Sequence, residues 1–151
     1  MAQEGARAAD GLLAAIEDPA RRAAIVADLA RLVDEEVASK RGLSGAALRA
    51  GYAAFLKLKP GIVAMAVDHL LPDFVRAIDP TWARARNGGD GVFTDEAPAI
   101  ADRMLAVTDA RAARSSNRVL TKLYASLRPT AQRHVVAAVP RLPAVIRRHA
   151  G

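Results

Sequence analysis

The chain has 151 residues, no cysteine and a formal net charge of +6, with 22 Lys and Arg against 16 Asp and Glu. This length suits one domain with its own core, and a hydrophobic share of 52% excludes wholesale disorder. The lack of cysteine excludes disulfides, thiolate metal sites and a cysteine nucleophile. We therefore predict a single helical domain over residues 1–151, with residues 1–18 as a loosely attached N-terminal helix.

The composition favours helices over strands. Alanine, the best helix former, is abundant, whereas aromatic residues make up only 4% of the chain. No apolar run approaches the ~20 residues that a membrane span needs. Acidic residues such as Glu4 and Asp10 leave no room for the apolar core of a signal peptide. We expect a soluble, cytoplasmic protein.

The first helical signals are local capping patterns. Asp18-Pro19 predicts a helix start, because an aspartate accepts from free amides of the first turn and proline needs no partner at the first helical position. Gly42 predicts the end of that helix, since glycine adopts a left-handed conformation at no cost. Ser44 is then expected to cap the next helix. Apolar residues at steps of three and four support the first of these helices: Ile25, Leu29, Leu32, Val33 and Val37.

The prolines predict a division of the rest of the chain into short helices. Lys59-Pro60 predicts one boundary, Leu71-Pro72 a kink or a meeting of two helices, and Asp79-Pro80 a second Asp-Pro start. Asn87 to Gly91 has the composition of a loop, and Pro129 predicts another break. Since no stretch alternates as a strand does, we predict an all-α fold: an irregular bundle of six to eight short helices delimited by prolines.

The positive charge is concentrated near the C-terminus. Residues 110–151 contain nine Lys and Arg and no Asp or Glu, so residues 1–109 have a net charge of −3. Such a split between regions is typical of proteins with an anionic partner. We predict a polyanion- or partner-binding surface formed by Arg111, Arg114, Arg118, Lys122, Arg128, Arg133, Arg147 and Arg148.

The first four of these cations are spaced so that they would form one stripe along a continuous helix. Two other interpretations stay open: the stripe is a solvated face, or it docks on the acidic residues Asp34, Glu35 and Glu36 of the same chain. If Ser116 caps a new helix, Arg111 and Arg114 belong to a different element from the other two.

No pattern in the chain predicts catalysis, a metal or a cofactor. None of the histidines, His69, His134 and His149, has a second ligand at helical spacing. The segment from Gly42 to Ala46 resembles a nucleophile elbow but ends in alanine, and no strand precedes it. We therefore predict no catalytic residue, no metal site and no small-molecule substrate.

The most apolar segment, from Gly61 to Ile78, has two interpretations. It forms part of the core, or it lines an exposed groove or a self-association surface, because a segment that is apolar on several faces must be covered. The second interpretation makes a homodimer an even alternative to a monomer.

Two blocks carry a resemblance to a known family. The first contains Leu32-Val33-Asp34-Glu35-Glu36-Val37, Lys59-Pro60-Gly61-Ile62-Val63 and Leu70-Leu71-Pro72-Asp73-Phe74, and the second runs from Val107-Thr108-Asp109 through Leu127-Arg128-Pro129 to His134-Val135-Val136. They resemble an uncharacterised family of small helical proteins of high-GC Gram-positive bacteria. The resemblance implies a helical fold in the bacterial cytoplasm, and no activity.

The leading functional hypothesis is a non-enzymatic interaction protein whose Arg-rich C-terminal surface attaches to a protein partner or to a second copy. The alternative is a nucleic-acid or ribosome-associated accessory protein that binds phosphates through the same surface. Adsorption to an anionic membrane surface is not expected, because the apolar side of the basic helix is needed for packing.

Overall fold

The computed structural model describes residues 12–150, which are almost entirely helical. The helices are α1 (residues 12–17), α2 (Pro19–Ser39), α3 (Gly42–Leu56), α4 (Ile62–Gly88), α5 (Gly91–Asp95), α6 (Ala97–Arg114), α7 (Arg118–Ala138) and α8 (Leu142–Ala150), and a short 3-10 turn (Val139–Arg141) joins the last two. No strand occurs among these residues. The prediction of an irregular all-α bundle is confirmed.

The predicted N-terminal helix covers residues 1–18, of which residues 1–11 lie outside the described part. In the described remainder, Leu12, Ala15 and Ile16 are buried against α2 and α4. The side chain of Asp18 caps α2 as predicted and accepts from the Arg21 amide at 3.1 Å.

The junction of α2 and α3 differs from the predicted one. Gly42 has the expected left-handed conformation, with φ +74°, but it is the first residue of α3 and not the end of α2. The prediction that Ser44 caps α3 is wrong, because the helix begins two residues earlier, after Arg41, without a side-chain cap. The left-handed glycine turns the chain so tightly that only Lys40 and Arg41 separate the two helices.

Three prolines lie inside helices, so the predicted breaks at Asp79-Pro80 and Pro129 are wrong, and at Pro72 the alternative of two separate helices is wrong. Helix α4 continues for 27 residues through Pro72 and Pro80, and α7 continues for 21 residues through Pro129. A proline inside a helix leaves the carbonyl four residues earlier without its N–H donor. Tertiary contacts outweigh that loss where another donor reaches the carbonyl, as it does at Pro72.

Arg22 of α2 supplies that donor. One guanidinium nitrogen of Arg22 donates to the carbonyl oxygen of Asp68, four residues before Pro72, at 2.7 Å. A second nitrogen of Arg22 lies 2.5 Å from the Asp68 carboxylate. The same side chain therefore satisfies the orphaned carbonyl and ties α2 to α4.

The predicted loop from Asn87 to Gly91 is also mostly helical. Gly88 is the last residue of α4 and Gly91 the first of α5, so only Gly89 and Asp90 lie between the helices. Gly89, with φ +84°, reverses the chain, and its N–H donates to the Ala85 carbonyl at 2.7 Å. A single left-handed glycine is enough for the turn.

The best-packed part of the core surrounds α5. Phe93 and Ile100 are fully buried, and the ring of Trp82 meets that of Phe93 edge to face at 6.5 Å between centroids. By contrast, α3 buries only Gly45, and α7 has no buried residue. This uneven packing leaves space between the N-terminal helices and the C-terminal ones.

Candidate functional site

The four cations predicted to form one stripe lie on two helices. Helix α6 ends at Arg114, and Asn117 caps α7 by accepting from the Leu120 amide at 3.1 Å. Arg111 and Arg114 therefore close α6, whereas Arg118 and Lys122 open α7. The prediction of one continuous helical stripe is wrong, because Ser115 has an extended backbone and interrupts the helix.

Several of the predicted surface residues are engaged within the molecule. Arg128 forms a two-pronged contact with Asp109 at 2.8 and 3.1 Å, and Arg148 lies 3.0 Å from Asp28. The hydrogen bond from Arg128 holds the pKa of Asp109 below its usual value. Arg111 is only loosely paired, 3.7 Å from Asp73. The charges of these cations are therefore partly balanced within the chain.

Arg147 also has internal partners. Its guanidinium contacts Asp90 at 2.5 Å and stacks over the Trp82 ring at 5.4 Å from the centroid. The hydrogen bond with Arg147 keeps the pKa of Asp90 below its usual value. This arginine ties α8 to the turn between α4 and α5.

The acidic residues of α2 do not receive the predicted stripe. Arg141 binds two of them, with 2.5 Å to Glu35 and 3.0 Å to Glu36, and the Tyr52 hydroxyl donates to Asp34. Arg141 is not one of the residues predicted for the binding surface. The interpretation in which the stripe docks on Asp34, Glu35 and Glu36 is therefore wrong, because Arg141, which is not part of the stripe, binds Glu35 and Glu36 instead.

A group of predicted surface cations stays exposed. Within the described residues they have no carboxylate partner, and Arg114 contacts only the Ala110 carbonyl of its own helix, at 3.3 Å. Val119, beside them, is 59% exposed. The group consists of Arg114, Arg118, Lys122 and Arg133, which we call the free basic surface.

A different feature is an apolar cavity of about 350 Å³ that is partly open to solvent. It is lined mainly by α1, α2, α4, α7 and α8, with single residues from α3, α6 and the 3-10 turn, and 21 of its 25 lining residues are apolar. Three lining residues are Val67, Leu71 and Phe74. They belong to the apolar segment from Gly61 to Ile78, which the sequence predicted to be either part of the core or the lining of a groove. Protein pockets for small molecules have this character, with volumes of roughly 300–1,000 Å³ and few polar groups.

The four polar lining residues are Glu36, Lys40, His134 and His149. Lys40 lies 3.1 Å from Glu36, and both side chains are largely buried. His149 is bonded to Asp28 at 2.6 Å. Most of the polar groups at the cavity are therefore already partnered.

His134 is the exception. Its Nε2 is buried and forms no hydrogen bond with any described residue. Burial lowers the pKa of His134, and the charges of Lys40 and Arg133 lower it further. His134 therefore borders the cavity through its carbon atoms, whereas its buried Nε2 does not open onto the cavity.

The sequence did not single out the cavity or its polar residues. His134 was considered only as a metal ligand, and among the described residues no cluster of three potential metal ligands occurs. The signal that points to His134 is its place beside the apolar run Val135 to Val139, where a polar side chain needs a partner.

The fold and cavity define a class of small all-helical protein with an internal apolar pocket. The chain belongs to DUF6918, a family of unknown function, which it matches over residues 12–150. This confirms the resemblance to an uncharacterised family. No curated protein and no solved structure matches the chain. None of the helices in residues 12–150 is long and apolar enough to cross a membrane.

Proposed function

We propose that the protein is a non-enzymatic binding protein for an apolar small molecule, which the cavity between the helices holds. The observation that carries the proposal is the cavity of about 350 Å³ with 21 apolar residues among its 25 lining residues. Glu36 is paired with Arg141 and His149 is hydrogen-bonded to Asp28, which leaves little of the lining for acid–base chemistry. Binding therefore fits the lining better than catalysis does.

The energetics of packing support an occupant. An enclosed empty cavity costs ~24 cal/mol per Å³, so about 8 kcal/mol is an upper bound for this partly open one of 350 Å³. Whole domains are stable by only about 5–15 kcal/mol. A small protein tolerates such a loss far more easily if an apolar ligand fills the space.

A series of straight-chain alcohols tests the proposal. Calorimetric titration with hexanol, octanol and decanol should give an affinity that rises about fourfold for each added CH₂, because each buried CH₂ contributes ~0.8 kcal/mol. The rise should level off when the chain fills the cavity. A flat series with no saturable binding would refute the proposal.

Two neighbouring alanines of α7 provide a matched pair of variants. Ala138 lines the cavity, whereas Ala137 is exposed. Ala138→Phe should fill part of the cavity and weaken decanol binding at least tenfold, and Ala137→Phe should leave it within twofold. Equal losses in both variants would mean that decanol binds elsewhere.

A second candidate function rests on the free basic surface. Arg114, Arg118, Lys122 and Arg133 lack carboxylate partners among the described residues and can neutralise phosphates. We infer attachment to a polyanion such as RNA as the second function, with a steep dependence on salt as its signature.

Attachment to a protein partner or to a second copy also stays a proposal. Large apolar side chains are exposed on α3 and α4, including Leu43 at 93% and Met65 at 48%. Light scattering of the full chain tests the homodimer. The family resemblance further supports a bacterial and cytoplasmic home.

A further inference from the structure

We propose that one end of the helix bundle docks on the surface of an anionic lipid bilayer. This end is formed where α3 ends and where α4 and α7 begin. Its exposed residues, which we call the docking end, are Leu56, Lys57, Lys59, Met65, Arg118, Val119 and Lys122. None of them lines the cavity, so the docking surface is independent of the proposed apolar ligand.

The contact between α3 and α7 brings two of these helix ends to the same side of the molecule. A Cβ atom added at Gly51 of α3 would lie 2.8 Å from Cδ2 of Leu127 of α7, so the two helices touch there. Lys40, just before α3, and Leu48 line the same cavity as Val135 of α7, so the helices run antiparallel. From the contact, the end of α3 and the start of α7 therefore extend in the same direction, by about 8 and 14 Å at 1.5 Å per residue.

Short connections bring two further helix ends to this side. Only residues 57–61 separate the end of α3 from the start of α4, so the first turn of α4 lies next to the end of α3. Only residues 115–117 separate the end of α6, at Arg114, from the start of α7. Four helix ends therefore form this side of the bundle.

Large aliphatic side chains are exposed at the docking end. Leu56 is 47% exposed, Met65 48% and Val119 59%, and they are three of the four large hydrophobic residues exposed in the described part of the chain. The sequence-based argument against a membrane surface was that packing needs the apolar side of the basic helix. Helix α7 has no buried residue, however, and Val119 points outward. Exposed apolar groups of this kind mark interaction sites for proteins or membranes.

Exposed cations stand beside these aliphatic side chains. Lys57 and Lys59 follow Leu56, and Arg118 and Lys122 lie within one helical turn of Val119. The segments that contain them, residues 37–67 and 110–151, have no Asp or Glu. The docking end therefore combines apolar groups with positive charge.

The nearest carboxylates along the chain do not neutralise these cations, because they have other partners. Asp68 lies 2.5 Å from Arg22, and Asp109 lies 2.8 Å from Arg128. A second copy of the same end would bring like charges together, which is unfavourable. Charge complementarity therefore favours an anionic partner over self-association through this end.

The aliphatic side chains favour a bilayer over RNA as that partner. Proteins that bind single-stranded RNA stack its bases on aromatic rings, whereas Trp82 and Phe93 are buried here. A bilayer accepts aliphatic groups between its head groups, and its anionic lipids attract the surrounding lysines and arginines. The docking end offers both contacts.

Vesicle flotation tests the docking. The full chain should bind vesicles of phosphatidylcholine with about 30% phosphatidylglycerol at least twentyfold more tightly than vesicles of phosphatidylcholine alone, because each cation near an anionic surface contributes roughly fivefold. Absence of flotation with the anionic vesicles at low salt would refute the proposal. Binding of a labelled RNA without binding of these vesicles would overturn it in favour of a polyanion.

Two pairs of charge reversals locate the contact. Lys57→Glu with Lys59→Glu should weaken binding to the anionic vesicles at least twentyfold. Arg41→Glu with Arg86→Glu changes the net charge equally at exposed positions, at the start of α3 and the end of α4, and should leave the affinity within threefold. Equal losses in both pairs would assign the adsorption to net charge and refute the docking end.

A fluorescent label tests whether the apolar groups enter the bilayer. The chain has no cysteine, so Val119→Cys and Ala137→Cys each provide one site for an environment-sensitive fluorophore. Ala137 is exposed near the other end of α7 and serves as the control. Anionic vesicles should shift the emission to the blue at position 119 and leave it unchanged at position 137. No shift at position 119, or equal shifts at both positions, would overturn the assigned surface.

Discussion

Single side chains connect helices of this protein across long sequence distances. Thr81 of α4 is fully buried and is bonded both to Glu96 at 3.0 Å and to Arg103 of α6 at 2.9 Å. The Glu96 carboxylate also forms an ion pair with Arg84 of α4, at 2.5 Å. The buried Thr81 hydroxyl is stable in the core because Glu96 and Arg103 satisfy its hydrogen bonds, and Arg84 in turn pairs with Glu96.

The Glu96 carboxylate makes this cluster sensitive to acid. The hydrogen bond from Arg84, helped by Thr81, lowers the pKa of Glu96 from 4.5 to about 2. A lowered pKa means that the unfolded chain takes up the proton first. The cluster therefore contributes stability above about pH 4.5, and that contribution is lost as the pH falls toward 2.

We predict that Glu96→Gln lowers the free energy of unfolding by about 1 kcal/mol at pH 7, a modest value because Arg84 is half exposed to solvent. The difference in the free energy of unfolding between this variant and the wild type should become smaller below pH 4. Urea unfolding at several pH values measures it, with the exposed Glu17→Gln as the control. A loss that is the same at pH 3 and pH 7 would show that packing, and not charge, is responsible.

At the scale of elements, the length of α4 depends on a contact made by another helix. Proline 72 removes the N–H that would bond to the Asp68 carbonyl, and Arg22 of α2 donates to that oxygen instead, at 2.7 Å. Arg22 and Asp68 are 46 positions apart in the sequence. Continuity of the helix is thus a tertiary property.

A double-mutant cycle tests this compensation. Arg22→Leu should lower the free energy of unfolding by about 1–3 kcal/mol, because it leaves the Asp68 carbonyl and carboxylate without their partner. In a Pro72→Ala background the loss should be smaller, since the alanine N–H can bond to Asp68. Chemical denaturation measures the cycle, and Arg31→Leu, at an exposed site, is the control. Strict additivity would contradict the compensation.

These elements explain which sequence predictions succeeded. The cap at Asp18 depends on atoms within three residues, so a local pattern found it. The cap of α7 is Asn117, one residue after the Ser116 that the sequence suggested. The helical courses through Pro72 and Pro129 depend on packing between helices, which no local pattern contains. The cavity was missed for the same reason: it arises where side chains from several helices, distant in the sequence, fail to fill the space between them.

For the whole molecule, the net charge of +6 is a poor guide to the surface. Among the nine C-terminal cations, Arg128, Arg141, Arg147 and Arg148 lie within 3.0 Å of carboxylates. They stabilise the packing of α7 and α8 against the acidic N-terminal part. Within the C-terminal part, the positive charge without a carboxylate partner among the described residues is concentrated in the free basic surface, on which the second candidate function depends.

Charge reversal tests whether RNA binding depends on the free basic surface or on the net charge of the protein alone. If RNA binds, Arg114→Glu, Arg118→Glu and Lys122→Glu together should abolish binding at 50 mM salt. The wild-type slope of log affinity against log salt should reach about −3 for single strands, at ~0.7 for each phosphate neutralised by the four cations. The triple Arg41→Glu, Lys57→Glu and Lys59→Glu changes the net charge equally at exposed positions and should keep most of the binding. Fluorescence anisotropy of a labelled RNA measures the binding. Equal losses of binding in both triple variants would assign the binding to net charge. Absence of binding by the wild type at low salt would refute the polyanion function.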